Sequence, residues 1–276
     1  MKKLVYILFL SIITSSSFAQ DRVFAYTYQS NVLNKGAFDL EFHNLLSTGK
    51  EGQNSPYIFG QNLNQRIEFE FGLGHNLQTA FYINSELSNT ATSTSTEINQ
   101  ELKISFSNEW KLKLSDPVAN VIGSGIYEEF EFGGNNVEFE TKLLFDNRIS
   151  KELFAFNIVY KYEIERVINK TNNVATADWA HNGAFELYFG YMHFFKPNFS
   201  LGIEAKNNND IVQGVGRINS VVFAGPAMHI NIEKCFILLT TMPQIVNLYK
   251  TNIVPGKMDY YYHEAAEFSL LVGYDF

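Results

Sequence analysis

Apolar and polar residues alternate with a period of two along most of this chain. Ile67, Phe69, Phe71 and Leu73 alternate with Arg66, Glu68, Glu70 and Gly72. Val137, Phe139, Thr141, Leu143 and Phe145 alternate with Glu138, Glu140, Lys142, Leu144 and Asp146, and Phe154, Phe156, Ile158, Tyr160 and Tyr162 with Ala155, Asn157, Val159 and Lys161. Successive side chains of an extended segment point to opposite faces, so each run reads as a strand with one oily and one polar face. Each face needs its own solvent.

The same reading predicts twelve strands, near 37–48, 63–73, 77–87, 97–112, 120–132, 137–146, 152–166, 181–195, 199–207, 219–233, 236–246 and 263–276. An even number brings both ends of a closed barrel to the same side. The connections alternate in length. Gly74–Asn76, Asn147–Lys151, Lys196–Asn198 and Glu233–Cys235 are tight, whereas Gly49–Asn62, Ser88–Thr96, Asn169–Trp179, Asn207–Arg217 and Asn247–Tyr262 are long. Short turns on one side and long loops on the other are the asymmetry of outer-membrane barrels. Lys113–Asn120 is long for its side and Gly133–Asn136 short for its own.

A secreted sandwich or a lipocalin-like barrel would also alternate. Its strands are usually nearer five or six residues, and its oily face turns inward with no need of dense charge opposite. Strands of ten or more suit a tilted crossing of the hydrocarbon layer. The expected fold is therefore all-β, a single transmembrane antiparallel barrel of about 12 strands.

The ends add to this picture. Lys2 and Lys3, the apolar stretch Leu4–Ile13 and the small-x-small sequence Ser17-Phe18-Ala19 read as a signal peptide over residues 1–19, cleaved between Ala19 and Gln20, with a barrel domain over 20–276. The apolar stretch is too short to span a bilayer, and no Cys follows the cleavage site to take a lipid. At the other end Phe268, Leu270, Val272, Tyr274 and Phe276 share one face of the last strand, as expected of a closing strand that carries the barrel-assembly signal. Leu271 stands where that signal often has a glycine, and Gly273 follows two residues later. Tyr26 and Tyr28, Trp110, Trp179, Phe194 and Phe195, and Tyr260–Tyr262 gather near strand ends, where interfacial aromatic girdles sit.

Removing the leader takes Lys+Arg from 21 to 19 against 29 Asp+Glu, a formal charge of −10. So acidic a chain is ill suited to hold nucleic acid. Cys235 is the single cysteine, which excludes an intramolecular disulfide.

If the oily faces meet lipid, the polar faces line a lumen. That places Arg66, Glu68, Glu70, Glu109, Lys111, Glu138, Glu140, Lys142, Lys161 and Glu186 inside as a charge network, together with Asp39, Glu41, Glu101, Lys103, Glu163, Glu204, Lys206 and Glu267. An acidic lumen draws cations to itself. The competing reading is a wall of ion pairs that fills a narrow interior, since twelve strands lie between barrels that fill and barrels that conduct. Glu109-Trp110-Lys111 beside Asp116-Pro117 is the one segment that could form a compact site.

Signals for enzyme chemistry are weak. His43, His193 and His229 fall on strands with no spacing that picks out a nucleophile and base. His263-Glu264-Ala265-Ala266-Glu267 lacks the second histidine of a zinc helix, and Asn207–Asp210 lacks the acidic spacing of a calcium loop. No cofactor or metal is expected.

Tyr26-Thr27-Tyr28-Gln29-Ser30 through Lys35-Gly36, Leu77–Tyr82, Asn108-Glu109-Trp110-Lys111 with Leu114-Ser115-Asp116-Pro117, and Phe223-Ala224-Gly225-Pro226 resemble a family of uncharacterised outer-membrane β-barrel proteins. The resemblance covers most of the chain after the leader. It implies a barrel in the outer membrane of a Gram-negative bacterium, sometimes labelled a transporter, and carries no catalytic residues. The expected partners are outer-membrane lipid, the barrel-assembly machinery and small polar solutes or cations. The expected role is a passive channel or binder for such solutes. A closed structural or surface-interaction barrel and a lipid-modifying enzyme are the alternatives, a Ser/His pair at a membrane-facing rim being the mark of the last.

Overall fold

The computed structural model describes residues 22–50, 57–94, 97–171 and 174–276. The expected leader and its Ala19–Gln20 cleavage site lie outside the described residues. Among the described residues the strands are β1 (Phe38–Thr48), β2 (Tyr57–Gly74), β3 (Leu77–Thr92), β4 (Asn99–Ser115), β5 (Gly123–Phe132), β6 (Asn136–Ile149), β7 (Glu152–Thr171), β8 (Val174–Lys196), β9 (Phe199–Val212), β10 (Gly216–Arg217), β11 (Val221–Ile232), β12 (Cys235–Asn247) and β13 (Ala266–Asp275). Each of β1 to β9 pairs antiparallel with the next, β9 passes to β11, and β13 pairs with β1. The result is a closed barrel of twelve wall strands, with β10 a two-residue return against the end of β9. Closure satisfies the backbone without a free edge, which is what lets a sheet cross hydrocarbon.

The faces follow the alternation. Outward positions such as Phe81, Phe106, Leu143, Phe156 and Leu270 are exposed, while Tyr82, Ser107, Leu144, Asn157 and Leu271 between them are buried. Phe268, Leu270, Val272, Tyr274 and Phe276 all face outward, and the Phe276 ring rests 4.8 Å from that of Phe38 across the seam. At one end the turns are tight. Between β2 and β3 both central residues, His75 and Asn76, have positive φ (55° and 62°), the twist that suits a two-residue hairpin.

Several strands run further than expected on the long-loop side. The expected loops Asn169–Trp179 and Asn207–Arg217 are largely the ends of β7, β8 and β9. Crossing takes about 9–11 residues, and β8 has 23. Beyond the lipid band both faces of a hairpin meet water, so the oily alternation stops while the hydrogen-bonded ladder continues.

Residues 22–36 do not join the wall. They form a strap inside the barrel at the short-turn end. Leaving β1, the strap turns back at Gly36, whose N–H donates to Gly72 O at 2.8 Å. A Cβ on Gly72 would stand 1.9 Å from Asn34 O, so the close approach requires glycine there. The strap then passes β3, β6, β7 and β9 in turn, and its far end sets Phe24 on an apolar pad of Leu153, Ala155, Met192, Phe194 and Ala227. A Cβ on Gly190 would meet the Phe24 ring at 2.6 Å.

This path corrects the girdle assignment for three residues. Tyr26 and Tyr28 lie in the lumen and Phe194 faces inward under Phe24, because the strap supplies an apolar surface inside the barrel that the wall must match.

Leu143 lies outward, midway along β6. Leu143→Arg should lower the unfolding free energy by about 2–4 kcal/mol, the cost of a cation near the bilayer midplane. Urea titration in lipid vesicles reads this directly, and an unchanged midpoint would mean that this face does not meet lipid.

Candidate functional site

The strap is held by wall side chains that take the place of a neighbouring strand. Glu204 on β9 is fully buried, and its carboxylate accepts the backbone N–H groups of Ala25 (3.1 Å), Tyr26 (2.9 Å) and Thr27 (2.9 Å) as well as the Thr240 hydroxyl (2.9 Å). Asn157 on β7 accepts the Tyr28 N–H at 2.7 Å and donates to the Tyr28 carbonyl at 2.8 Å. Asp146 accepts from Ser30 N–H at 3.0 Å and Gln78 from Leu33 N–H at 2.8 Å. A backbone crossing a protein interior must satisfy these groups or bear the cost of leaving them dry.

Cations then gather on the strap's aromatic rings. The Arg22 guanidinium lies 4.1 Å from the Tyr28 centroid, Lys142 at 4.1 Å and Lys111 at 5.6 Å. The Tyr127 ring meets Tyr28 edge-on at 5.1 Å. Lys206, paired with Glu267 at 2.7 Å, sits 4.9 Å from the Tyr26 ring. These contacts make the strap a floor across the lumen.

Above the floor, toward the long loops, is a cavity of about 780 Å³. Its base carries Arg22, Tyr26 and Tyr28, and its wall carries Arg66, Glu129, Glu131, Glu138, Glu140, Lys142, Lys161, Glu163, Glu165 and Glu186. The basic groups are engaged. Arg66 reaches Glu129 at 3.2 Å and Asn84 at 3.0 Å, Lys142 reaches Glu140 at 2.7 Å, and Lys161 lies 3.2 Å from Glu140 and 3.6 Å from Glu186. Glu131, Glu163 and Glu165 receive hydrogen bonds from neutral Ser and Asn side chains instead. The vestibule therefore carries an excess of negative charge at its mouth.

All ten residues expected as a charge network face the interior, but the strap divides them. Arg66, Glu138, Glu140, Lys142, Lys161 and Glu186 line the vestibule, whereas Glu70 and Lys111 line a small cavity of about 30 Å³ beneath the strap. Glu68 and Glu109 are buried beside that lower level, where Tyr82 donates to Glu109. Glu109, Lys111 and Asp116 do not form one site. Asp116 stays in the turn, where the Val118 N–H (2.8 Å) and Lys113 Nζ (3.1 Å) hold its carboxyl below the usual carboxylate range.

Sequence reasoning placed Glu204 and Asp146 on inward faces without their role in holding the strap, and it missed Arg22, Glu129 and Glu131 as parts of this arrangement. The alternation Tyr127, Glu129, Glu131 was available for two of them. Of the strand histidines, His43 Nε2 meets Ser269 Oγ at 2.7 Å within the lumen, His229 Nδ1 lies 3.5 Å from Ser200 Oγ under the strap, and His193 pairs with Glu152 at 2.7 Å. Both Ser/His contacts lie inside the barrel and not at a membrane-facing rim. His263 sits in the loop before β13, 3.6 Å from Asp210, and the near-zinc sequence runs from that loop into the first two residues of β13, with no helix to bring its ends together.

A closed antiparallel wall with apolar residues outward and charged residues inward is that of a transmembrane β-barrel of the outer-membrane type. The chain matches the family of unknown function DUF6662 over residues 16–276 and belongs to it. No curated protein matches it. Among solved structures it is similar to the COG4313 outer membrane channel from Pseudomonas putida F1, with TM-score 0.59 and 10% identity over 90% of this chain and 98% of that one. It is also similar to the β domain of the Bordetella autotransporter BrkA (TM-score 0.56, 9% identity, 88% and 100% covered) and to the translocator domain of the autotransporter NalP from Neisseria meningitidis (0.51, 11%, 87% and 88%). At such identities the likeness is one of fold.

Glu204→Ala would strand three buried N–H groups, each costing roughly 1–3 kcal/mol. Amide hydrogen exchange at residues 25–27 should accelerate by an amount equivalent to at least about 2 kcal/mol, with the wall strands unchanged. Retained protection at those three amides would show that other contacts hold the strap.

Proposed function

We propose that this protein is an outer-membrane channel that takes small polar solutes, cations in preference, into its acidic vestibule from the long-loop side. Passage requires displacement of the strap. The observation that carries this reading is the vestibule itself, a carboxylate-rich chamber of about 780 Å³ that ends on Arg22, Tyr26 and Tyr28. Excess carboxylates in a low-dielectric wall concentrate cations and repel anions. The fold shared with an outer-membrane channel supports the location and the general role. The outward final strand, from Phe268 to Phe276, is the element we assign to recognition by the barrel-assembly machinery.

The floor bears on the alternative of a closed binding barrel. A solute can enter and be held with the strap in place, but the strap's path across the lumen leaves no wide aqueous route. Planar-bilayer recordings of the refolded chain should therefore show small or rare conductance steps. Deleting residues 23–35 should give steady steps at least several-fold larger, with KCl reversal potentials that favour K⁺, and Glu129→Gln with Glu131→Gln should reduce that preference. A strap-deleted barrel that is folded by heat-modifiable gel mobility yet silent would remove the channel reading. Anion preference would remove the acidic-lumen reading.

A further inference from the structure

Beneath the strap, on the adjacent strands β1 and β2, Glu41 stands opposite Glu68, and Glu70 follows two residues later on the same face. One carboxylate oxygen from each lies within 4.8 Å of the others. Glu68 is only 1% exposed, and among the described residues neither of its oxygens receives a hydrogen bond. The nearest cation is Arg22 of the strap, 3.2 Å from Glu41 and 3.9 Å from Glu68. One guanidinium against three carboxylates leaves two negative charges, and of the groups next to them Asp39 and Glu109 are acidic and Lys111 basic, so the excess is not relieved by the surroundings. Unpaired charge so deeply buried is costly, and it is retained where something neutralises it.

We infer that Glu41, Glu68 and Glu70 form a binding site for a divalent cation of the calcium type, closed from above by Arg22. The donors are all carboxylate oxygens, the set that hard cations take. Two oxygens held by one calcium at about 2.4 Å are at most about 4.8 Å apart, and the oxygens of this cluster lie within that limit of one another. The charge deficit is at least that of one divalent ion, and three carboxylates binding through both oxygens, with a water from the neighbouring cavity, would reach the six to eight oxygens that calcium takes. The ion would join the β1–β2 wall to the underside of the strap. The site lies below the floor, away from the vestibule, and does not depend on the solute reading.

The test is calorimetric titration of the refolded full chain with CaCl2 and, separately, MgCl2, backed by terbium luminescence excited through Tyr28, whose ring borders the same cavity. One saturable calcium site per chain is expected. Glu68→Gln and Glu70→Gln should each weaken it at least about tenfold, since ligand charge sets affinity in such sites. Heat-modifiable mobility shows that each variant is folded, and either variant alone suffices. The absence of saturable binding to the wild-type chain would mean that shared protons neutralise the cluster and would overturn the proposal. So would calcium binding unchanged in both variants, which would place the ion on the outer loops, or magnesium bound more tightly than calcium.

Discussion

The closed lower half of this barrel rests on the obligation of a backbone to satisfy its own polar groups. The strap crosses the lumen as an isolated extended segment, with no partner strand to supply donors and acceptors. Wall side chains supply them instead. Glu204 serves three successive N–H groups, Asn157 gives Tyr28 the paired donor and acceptor of a ladder rung, and Asp146 and Gln78 serve Ser30 and Leu33. The bonds to Glu204 and Asp146 are charge-assisted, a class roughly twice as strong as neutral bonds. Their carboxylates and amides explain why inward residues at this level are acidic or amidic even where no counter-ion stands beside them.

The wall was legible in the sequence because lipid imposes a period of two over most of each crossing. Ile67, Phe69 and Phe71 against Arg66, Glu68 and Glu70 sufficed to define the 63–73 part of β2 and the face each of its residues takes, but not its start at Tyr57. The hairpin extensions of β7 and β8 were not legible, since above the lipid both faces are wet and no oily stripe marks the strand. The strap escaped for a different reason. Residues 22–36 have no regular secondary structure, so no period identifies them, and their tyrosines resemble those of an interfacial girdle. The traces they leave are on the wall. Leu153-Phe154-Ala155-Phe156 and Tyr191-Met192-His193-Phe194-Phe195 are apolar on both faces, which a lumen filled with water would not favour. Glycines at 72 and 190 clear space for a neighbour that only the fold reveals.

The charge network was legible as a set of inward positions and illegible as a function. Alternation assigns Glu70 and Glu138 to the same inner face, yet the strap puts one below the floor and the other in an open vestibule. Depth along the barrel axis and the path of a non-repeating segment decide whether a lumen carboxylate meets solvent, an arginine or another carboxylate. No local pattern encodes either.

The two kinds of contact that hold the strap respond differently to opening. Its hydrogen bonds to Glu204, Asn157 and Asp146 exchange for bonds to water once the vestibule floods the gap, so each contributes only about 0.5–1.5 kcal/mol net, or somewhat more where a carboxylate accepts. Phe24 has no such exchange, and leaving its pad of Leu153, Met192 and Phe194 forfeits roughly 1.5–3 kcal/mol of burial. At its other end the strap is tied covalently to β1 and backed by the Gly36–Gly72 contact. A force or ligand that lifts residues 22–28 therefore works against the apolar seats of Phe24, Tyr26 and Tyr28 and a few replaceable polar bonds. Lifting residues 30–36 would also distort the seam beside β1 and β2. The geometry favours opening from the Phe24 side, where the cations of Arg22, Lys142 and Lys206 already share the strap's tyrosine rings with the acidic wall. A cationic solute that competes for Glu140 would loosen Lys142, whose ammonium lies 4.1 Å from the Tyr28 ring, and so act on the floor from above without touching the wall ladder.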